Sequence, residues 1–159
     1  DIPRDIRALG RLAGTEHVGE AAALHLENGL AALRERYAHR APIRVLYEIW
    51  NDPLQTINGD HLISQVLALC GGRNIFADVA TLAPRVSVES VLARGPEAII
   101  ASGMQDSRPQ WLDDWRRYPD LPAVRNGGLF FLDPDLLERP TARVLQGAQT
   151  LCQQLDTLR

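Results

Sequence analysis

An indole, a carboxamide and a carboxylate follow directly after an apolar run, at Trp50, Asn51 and Asp52. The run itself, residues 43–49, is nearly continuous and partly β-branched, which is typical of a strand buried on both faces in a parallel sheet. Ligands of such sheets bind beyond the carboxyl ends of the strands. The three side chains are therefore predicted to contact a ligand, with packing as the alternative interpretation of Trp50.

Two other polar segments follow apolar runs in the same way. Residues 103–107 follow the run at 98–101, and a charged set follows the run GLFFL at 128–132: Asp133, Asp135, Glu138 and Arg139. Three loops at one edge of a sheet form one wall of a binding site. A solvated turn remains the alternative for each segment taken alone.

The sequence contains none of the common catalytic motifs. It lacks a G-x-S-x-G elbow, a glycine-rich phosphate loop, an H-E-x-x-H pair and a cluster of histidine and cysteine. The histidines at 17, 25, 39 and 61 are scattered, and a capping or surface role for His61 is favoured over metal or corrin ligation. We therefore predict no enzymatic activity, no metal site and no catalytic cofactor.

Composition narrows the class of partner. The 159 residues are enough for one domain with a substantial core, and a net charge of -3 without a basic stripe argues against nucleic acid. No apolar run approaches the roughly 20 residues of a membrane helix, and the first residues do not have the pattern of a signal peptide.

Cys70 and Cys152 are either two buried thiols or one disulfide, and spacing alone leaves both open.

The elements that position these residues alternate along the chain. A short helix over residues 1–9, closed by Gly10 or Gly14, precedes a helix of more than 20 residues with an apolar stripe from Val18 through Ala22 to Tyr37. The remaining predicted elements are a strand at 43–49, a helix at 61–70 capped by Asp60, a strand at 75–77, a helix from Ser87 to Arg94, a strand at 98–101, a helix opened by Pro109, strands at 121–124 and 128–132, and a helix at 141–155. Strands separated by helices predict an α/β fold, a three-layer α/β/α lobe with a mainly parallel sheet, preceded by the long helix.

Several motifs resemble one family of transport proteins. They are P-L-x-T-x-x-G from Pro53, CGGRNIF from Cys70, P-x-V-S-x-E-x-V-L from Pro84 with R-G-P-E-A-I-I after it, and D-x-x-E-R from Asp135. From about residue 42 to 155 the chain resembles the C-terminal lobe of the substrate-binding proteins of iron-siderophore, haem and vitamin B12 ABC importers. The vitamin B12-binding branch is the most similar.

The resemblance assigns roles to particular residues. It implies a disulfide between Cys70 and Cys152 in an oxidising periplasm. It also implies that Glu89 docks onto an ABC importer permease, whereas chemistry alone makes it a carboxylate at the positive end of a helix. Asp135 and Arg139 match ligand-facing positions, and Trp50 lies in the corresponding first loop. The chain departs from the B12 branch at Ala83 and Leu136, where that branch has aromatic residues.

The implied function is non-enzymatic capture of cobalamin or a related corrinoid in the periplasm, with no membrane insertion of the chain itself. The implied domains are an interlobe helical segment at 1–40 and a C-terminal α/β ligand-binding lobe at 41–159, without the family's N-terminal lobe. Haem or a ferric siderophore is the alternative ligand. A small α/β enzyme or an interaction module is the alternative outside this class.

Overall fold

A four-stranded parallel sheet lies at the centre of the fold. The computed structural model describes residues 2–37, 39–102, 108–139 and 141–159. The strands are β1 (Ile43–Glu48), β2 (Trp50–Asn51), β3 (Leu54–Gln55), β4 (Gly72–Asn74), β5 (Ala98–Ala101) and β6 (Leu129–Phe131). The sheet has the order β4-β1-β5-β6 with every pair parallel, while β2 and β3 form a separate antiparallel hairpin. The predicted α/β fold with a mainly parallel sheet is confirmed.

Helices cover both faces of this sheet because successive strand residues point to opposite sides. On one face, Val45 and Tyr47 pack in a core with α2 (Glu16–Tyr37), α3 (Leu62–Leu69) and α7 (Val144–Asp156). On the other face, Leu46 and Ile99 pack against α4 (Val88–Arg94), the 3₁₀ helix Gln110–Arg117 and α5 (Pro122–Arg125). The sheet and the helices on each of its faces therefore form three layers, with one core on each side of the sheet.

The N-terminal helices pack closely on each other. In α1 (Ile2–Leu12), Gly10 lies so near Gly19 of α2 that a Cβ at either position would come within 3.0 Å of the opposite Cα. Arg7 also donates to Glu20 at 2.9 Å and to Glu27 at 2.7 Å. Of the two predicted helix ends, Gly10 is wrong, because that glycine lies inside the helix and supplies the close contact. Gly14 agrees with the structure, since it follows the helix end at Leu12 by two residues and has a positive φ of 68°.

Parts of the predicted apolar stripe of α2 do not face the core. Val18 is 55% exposed and Ala22 is exposed, whereas Gly19, Ala23, Leu26 and Tyr37 are buried. The buried face of α2 is therefore rotated toward α1 and α7 relative to the predicted stripe.

Three other predicted local structures are corrected. The N-cap of α3 is His61 and not Asp60, with His61 Nδ1 accepting from the Ile63 amide at 3.2 Å. The short strand lies at Gly72–Asn74 rather than 75–77, because residues 72–74 pair with β1 and a turn follows. Residues 122–125 form α5 rather than a strand, with Pro122 in the first helical turn.

The structure contains the disulfide between Cys70 and Cys152. Cys70 ends α3 and Cys152 lies in α7, and both are fully buried in the core that these helices share with α2. The bond joins two helices that cover the same face of the sheet.

Candidate functional site

The residues that follow β1, β5 and β6 lie at the same end of the sheet. The ladder continues past the strand ends, since the Ser102 amide donates to the Glu48 carbonyl at 3.0 Å and the Leu132 amide donates to the Ala101 carbonyl at 3.0 Å. The hairpin after β1 and the helical turn after β6 therefore start at the same end of the sheet, with β5 between them. The second predicted loop, Gly103 to Ser107, lies outside the described residues.

The first predicted group is held on the β2–β3 hairpin. Trp50 and Asn51 are half-buried and Asp52 is exposed. Trp50 Nε1 donates to the Asp52 carbonyl at 2.9 Å, so the hairpin itself satisfies the only polar atom of the indole. The ring is therefore the part of Trp50 that remains for other contacts.

This hairpin also contacts the segment before α4. Gln55, opposite Trp50 in the hairpin, donates from Nε2 to the Ala83 carbonyl at 3.1 Å. The predicted departure from the B12 branch at Ala83 therefore lies next to the hairpin that carries Trp50.

The second predicted group lies on α6 (Pro134–Leu137) and the residues after it. Asp133 caps this helix by accepting from the Asp135 amide at 2.9 Å. Asp135 pairs with Arg139 at 3.3 Å, and an Arg143 nitrogen lies 4.0 Å from its other oxygen. The Arg139 side chain is 73% exposed, so most of its guanidinium faces solvent. The structure brings Asp135 and Arg139 together, and among the described residues no hydrogen bond or ion pair joins them to the Trp50 hairpin.

Glu138, which was among the predicted polar residues and ends α6, belongs to a polar cluster with Ser102 and Tyr47, which were not predicted. Ser102 is fully buried after β5 and donates its hydroxyl to Glu138. The Tyr47 hydroxyl is buried without a hydrogen-bond partner among the described residues, and this burial raises the pKa of Tyr47. Desolvation likewise raises the pKa of Glu138. A serine directly after the apolar run AIIA was the available sequence signal.

A buried carboxylate at the end of β1 was also missed. Glu48 is 2% exposed, and its Oε2 accepts from Trp115 Nε1 at 2.7 Å. Burial is the main cause that raises the pKa of Glu48 to about 8, and the nearby Asp114 charge adds to it while the Trp115 hydrogen bond opposes it. A charged residue inside an otherwise apolar strand was a signal that could have identified it.

Glu48 lines a cavity of about 150 Å³ on the 3₁₀-helix side of the sheet. Its other lining residues are Asn51, Leu54, Val88, Trp111, Asp114, Trp115, Arg117 and Tyr118. Asn51 thus faces this cavity, whereas Trp50 does not line it. The predicted trio of Trp50, Asn51 and Asp52 is therefore divided between two surfaces.

Glu89 lies apart from these groups, in the first turn of α4. Ser87 caps the helix by accepting from the Ser90 amide at 3.1 Å, and the Glu89 side chain is exposed. No cation among the described residues pairs with it. The carboxylate is therefore available to a partner.

The part of the chain that the structure describes contains neither a metal-binding cluster nor a membrane-spanning helix. No three histidine, cysteine, aspartate or glutamate residues there are grouped so as to hold a metal ion. No described helix has both the length and the apolar character needed to cross a bilayer.

Comparison with known proteins gives consistent matches. Residues 1–136 match the family model described as periplasmic binding protein. The vitamin B12-binding protein of Vibrio cholerae serotype O1 is 36% identical over 152 residues, which are 96% of this chain and 54% of that protein. The vitamin B12-binding protein of Yersinia pestis is 33% identical over 157 residues, covering 99% of this chain and 54% of that one. The chain thus spans about half the length of these relatives.

Solved structures have the same fold. The periplasmic vitamin B12 binding protein of Vibrio cholerae superimposes with a TM-score of 0.88 at 35% identity, over 99% of this chain and 61% of that one. The periplasmic heme-binding protein RhuT of Roseiflexus gives a TM-score of 0.84 at 24% identity, over 99% and 63% of the two chains. At that lower identity the match shows the fold alone.

Proposed function

The chain belongs to the periplasmic binding protein family, and we propose that it is one lobe of a two-lobe protein that captures cobalamin or a related corrinoid for an ABC importer. The observation that carries this proposal is the 36% identity with a vitamin B12-binding protein along 96% of the chain. In this proposal residues 41–159 form the ligand-binding lobe, and the helical segment 1–40 connects it to the other lobe in the periplasm.

The proposed ligand wall combines one flat apolar surface with one polar pair. The ring of Trp50, whose N–H is already bonded within the hairpin, offers its face to a macrocycle. Asp135 and Arg139, which follow β6 at the same end of the sheet, supply an acceptor and several donors for peripheral amides. In this proposal the ring of Trp50 supplies the aromatic surface that the alanine at position 83 does not, Asp52 extends the polar rim, and Asn51 lies where the wall meets the cavity beside Glu48.

Calorimetric titration tests the ligand class directly. The titrants are cyanocobalamin, cobinamide, haemin and a ferric siderophore, applied to this chain and to a two-lobe protein that contains it. If a complete clamp binds at nanomolar strength and the lobes share the contacts equally, one lobe retains about 6 kcal/mol, a Kd in the tens of micromolar. Tighter binding of haemin or the siderophore than of either corrinoid would contradict the proposal and favour the alternative ligand.

Replacement of Trp50 tests the proposed wall. We expect Trp50→Ala in the two-lobe protein to weaken corrinoid binding by about 1 to 3 kcal/mol, as loss of an interfacial aromatic anchor does. Trp50→Phe is the matched control, because it retains a flat ring while losing the indole N–H. Calorimetry measures both affinities, and circular dichroism checks the fold. An unchanged affinity for Trp50→Ala in a folded protein would make Trp50 a packing residue.

Glu89 is proposed to contact the permease rather than the ligand. The first turn of α4 favours the ionised carboxylate, and an exposed carboxylate on a helix can accept two hydrogen bonds from one guanidinium. One such pair at a solvated rim adds little affinity but directs the approach of the two proteins. Its loss is therefore expected to reduce transport most at low salt.

The experiment is Glu89→Arg in the two-lobe protein, with ligand affinity and transport measured separately. We expect unchanged ligand binding and reduced transport, with a smaller reduction for Glu89→Gln. Glu35→Arg, the same charge reversal at an exposed position of α2, is the control. Loss of ligand binding by a folded Glu89 variant would place this residue in the pocket instead.

A further inference from the structure

The cavity beside Glu48 shares Asn51 with the residues of the proposed corrinoid wall but has a different chemistry. The Glu48 carboxylate is one of its lining groups, and its Oε2 accepts from Trp115 Nε1 at 2.7 Å. No described residue donates a hydrogen bond to Oε1. The residue is only 2% exposed and it lines the cavity, so this oxygen is the acceptor that a group bound there would meet.

The walls of the cavity are aromatic. Trp111 and Tyr118 line it together with Trp115, and the rings of Trp115 and Tyr118 pack with their centroids 6.1 Å apart. Aromatic faces attract cations through the ring quadrupole, and the attraction increases when the cation is desolvated. A carboxylate below aromatic walls is thus complementary to an organic cation.

The charges around the cavity also favour a cation. From the 3₁₀ helix, Asp114 and Arg117 face it, and these two pair with each other at 3.4 Å. From the hairpin comes the neutral Asn51, and from α4 the apolar Val88. Asp114 and Arg117 offset each other, so an ionised Glu48 is left without a counter-charge among the described residues.

We propose that this cavity binds the head group of a small organic cation, of guanidinium or alkylammonium type, with Glu48 as its counter-ion. The cation would donate to Glu48 Oε1 and lie between the rings of Trp111 and Tyr118. The volume of about 150 Å³ admits a planar group of this size, since one water needs only about 10–15 Å³. The proposal does not depend on the identity of the ligand at the Trp50 edge.

The test compares methylguanidinium with methylurea, which has nearly the same planar shape and no charge. Binding to this chain is followed by nuclear magnetic resonance shifts of the Trp111 and Trp115 indole N–H signals, at a few millimolar to tens of millimolar titrant. We expect methylguanidinium to bind at least about tenfold more tightly than methylurea. A cation favours the ionised carboxylate, whose pKa lies at about 8, so its affinity is expected to rise about tenfold between pH 7 and pH 9.

Two variants connect the binding to the proposed residues. Glu48→Gln retains the size of the side chain and is expected to abolish both the preference for the cation and the rise with pH. Asp114→Asn, at an exposed position, is expected to weaken methylguanidinium binding severalfold and provides a second variant should Glu48→Gln not fold. Equal binding of the two titrants, tighter binding of methylurea, absence of binding at pH 9, or methylguanidinium binding unaffected by Glu48→Gln would each overturn the proposal.

Discussion

Replacement of both cysteines by alanine is expected to lower the free energy of unfolding by about 4.5 kcal/mol, because the unfolded chain regains the freedom that the cross-link removes. The bond between Cys70 and Cys152 spans a sequence separation of 82 residues. In the chain-entropy model the stabilisation rises with the logarithm of the loop length, which places a loop of this size near the upper end of the usual range. Since single domains are stable by only about 5–15 kcal/mol, this bond accounts for a large share of the stability.

Urea denaturation of the Cys70→Ala/Cys152→Ala variant measures the effect. The same denaturation of the unaltered protein with and without reductant is the control, and reductant is expected to leave the double variant unchanged. Thiol titration of unfolded, unreduced protein is expected to find no reactive cysteine. Two reactive thiols in protein recovered from an oxidising compartment, or equal stability with and without reductant, would contradict the prediction.

The sequence predicted the elements whose hydrophobic pattern is strong. Residues 98–101 are all apolar, residues 43–49 are apolar except for Arg44 and Glu48, and these two runs contain the central strands β5 and β1. Gly72–Asn74 has no such pattern, because an edge strand of three residues is defined by its pairing with β1 rather than by its own composition. The two-residue strands of the Trp50 hairpin are likewise too short to show a period, so a loop was predicted there.

Local sequence order was enough to predict which polar residues follow the strands. Strand ends followed by polar residues located the Trp50 hairpin and the Asp135–Arg139 pair. The Glu48 cavity was not predictable in this way, because the partner of Glu48 is Trp115, 67 positions along the chain. Local pattern cannot show which face of β1 the 3₁₀ helix covers, and that packing is what buries the carboxylate.

The burial of Glu48 has a large expected effect on stability at alkaline pH. The folded protein holds this carboxyl with a pKa of about 8, whereas the ordinary value of 4.5 applies to the unfolded chain. Between these two values the folded state binds a proton that the unfolded state has released, so rising pH favours unfolding. The contribution of Glu48 to the free energy of unfolding is therefore constant below about pH 4.5. It falls as the pH rises to about 8 and stays low above that value.

We expect Glu48→Gln to be more stable than the unaltered protein by about 3 to 5 kcal/mol at pH 9 and nearly equal to it at pH 4.5, since one pKa unit corresponds to about 1.4 kcal/mol. The glutamine carbonyl can still accept from Trp115 Nε1, and its volume matches that of the glutamate. The difference in unfolding free energy between the two proteins isolates Glu48, because the ion pairs of Arg7, Arg94 and Asp113 are common to both.

Urea denaturation of both proteins at pH 4.5, 7 and 9, without organic cations in the buffer, measures this difference. Glu89→Gln makes the same chemical change at an exposed position and is expected to alter stability by no more than about 0.5 kcal/mol at any of the three values. The comparison also bears on the proposed cation site, because methylguanidinium should stabilise the unaltered protein at pH 9 and have a smaller effect on Glu48→Gln. A difference between the two proteins that does not change with pH would show that the pKa of Glu48 is the same in the folded and unfolded states, and would contradict the prediction.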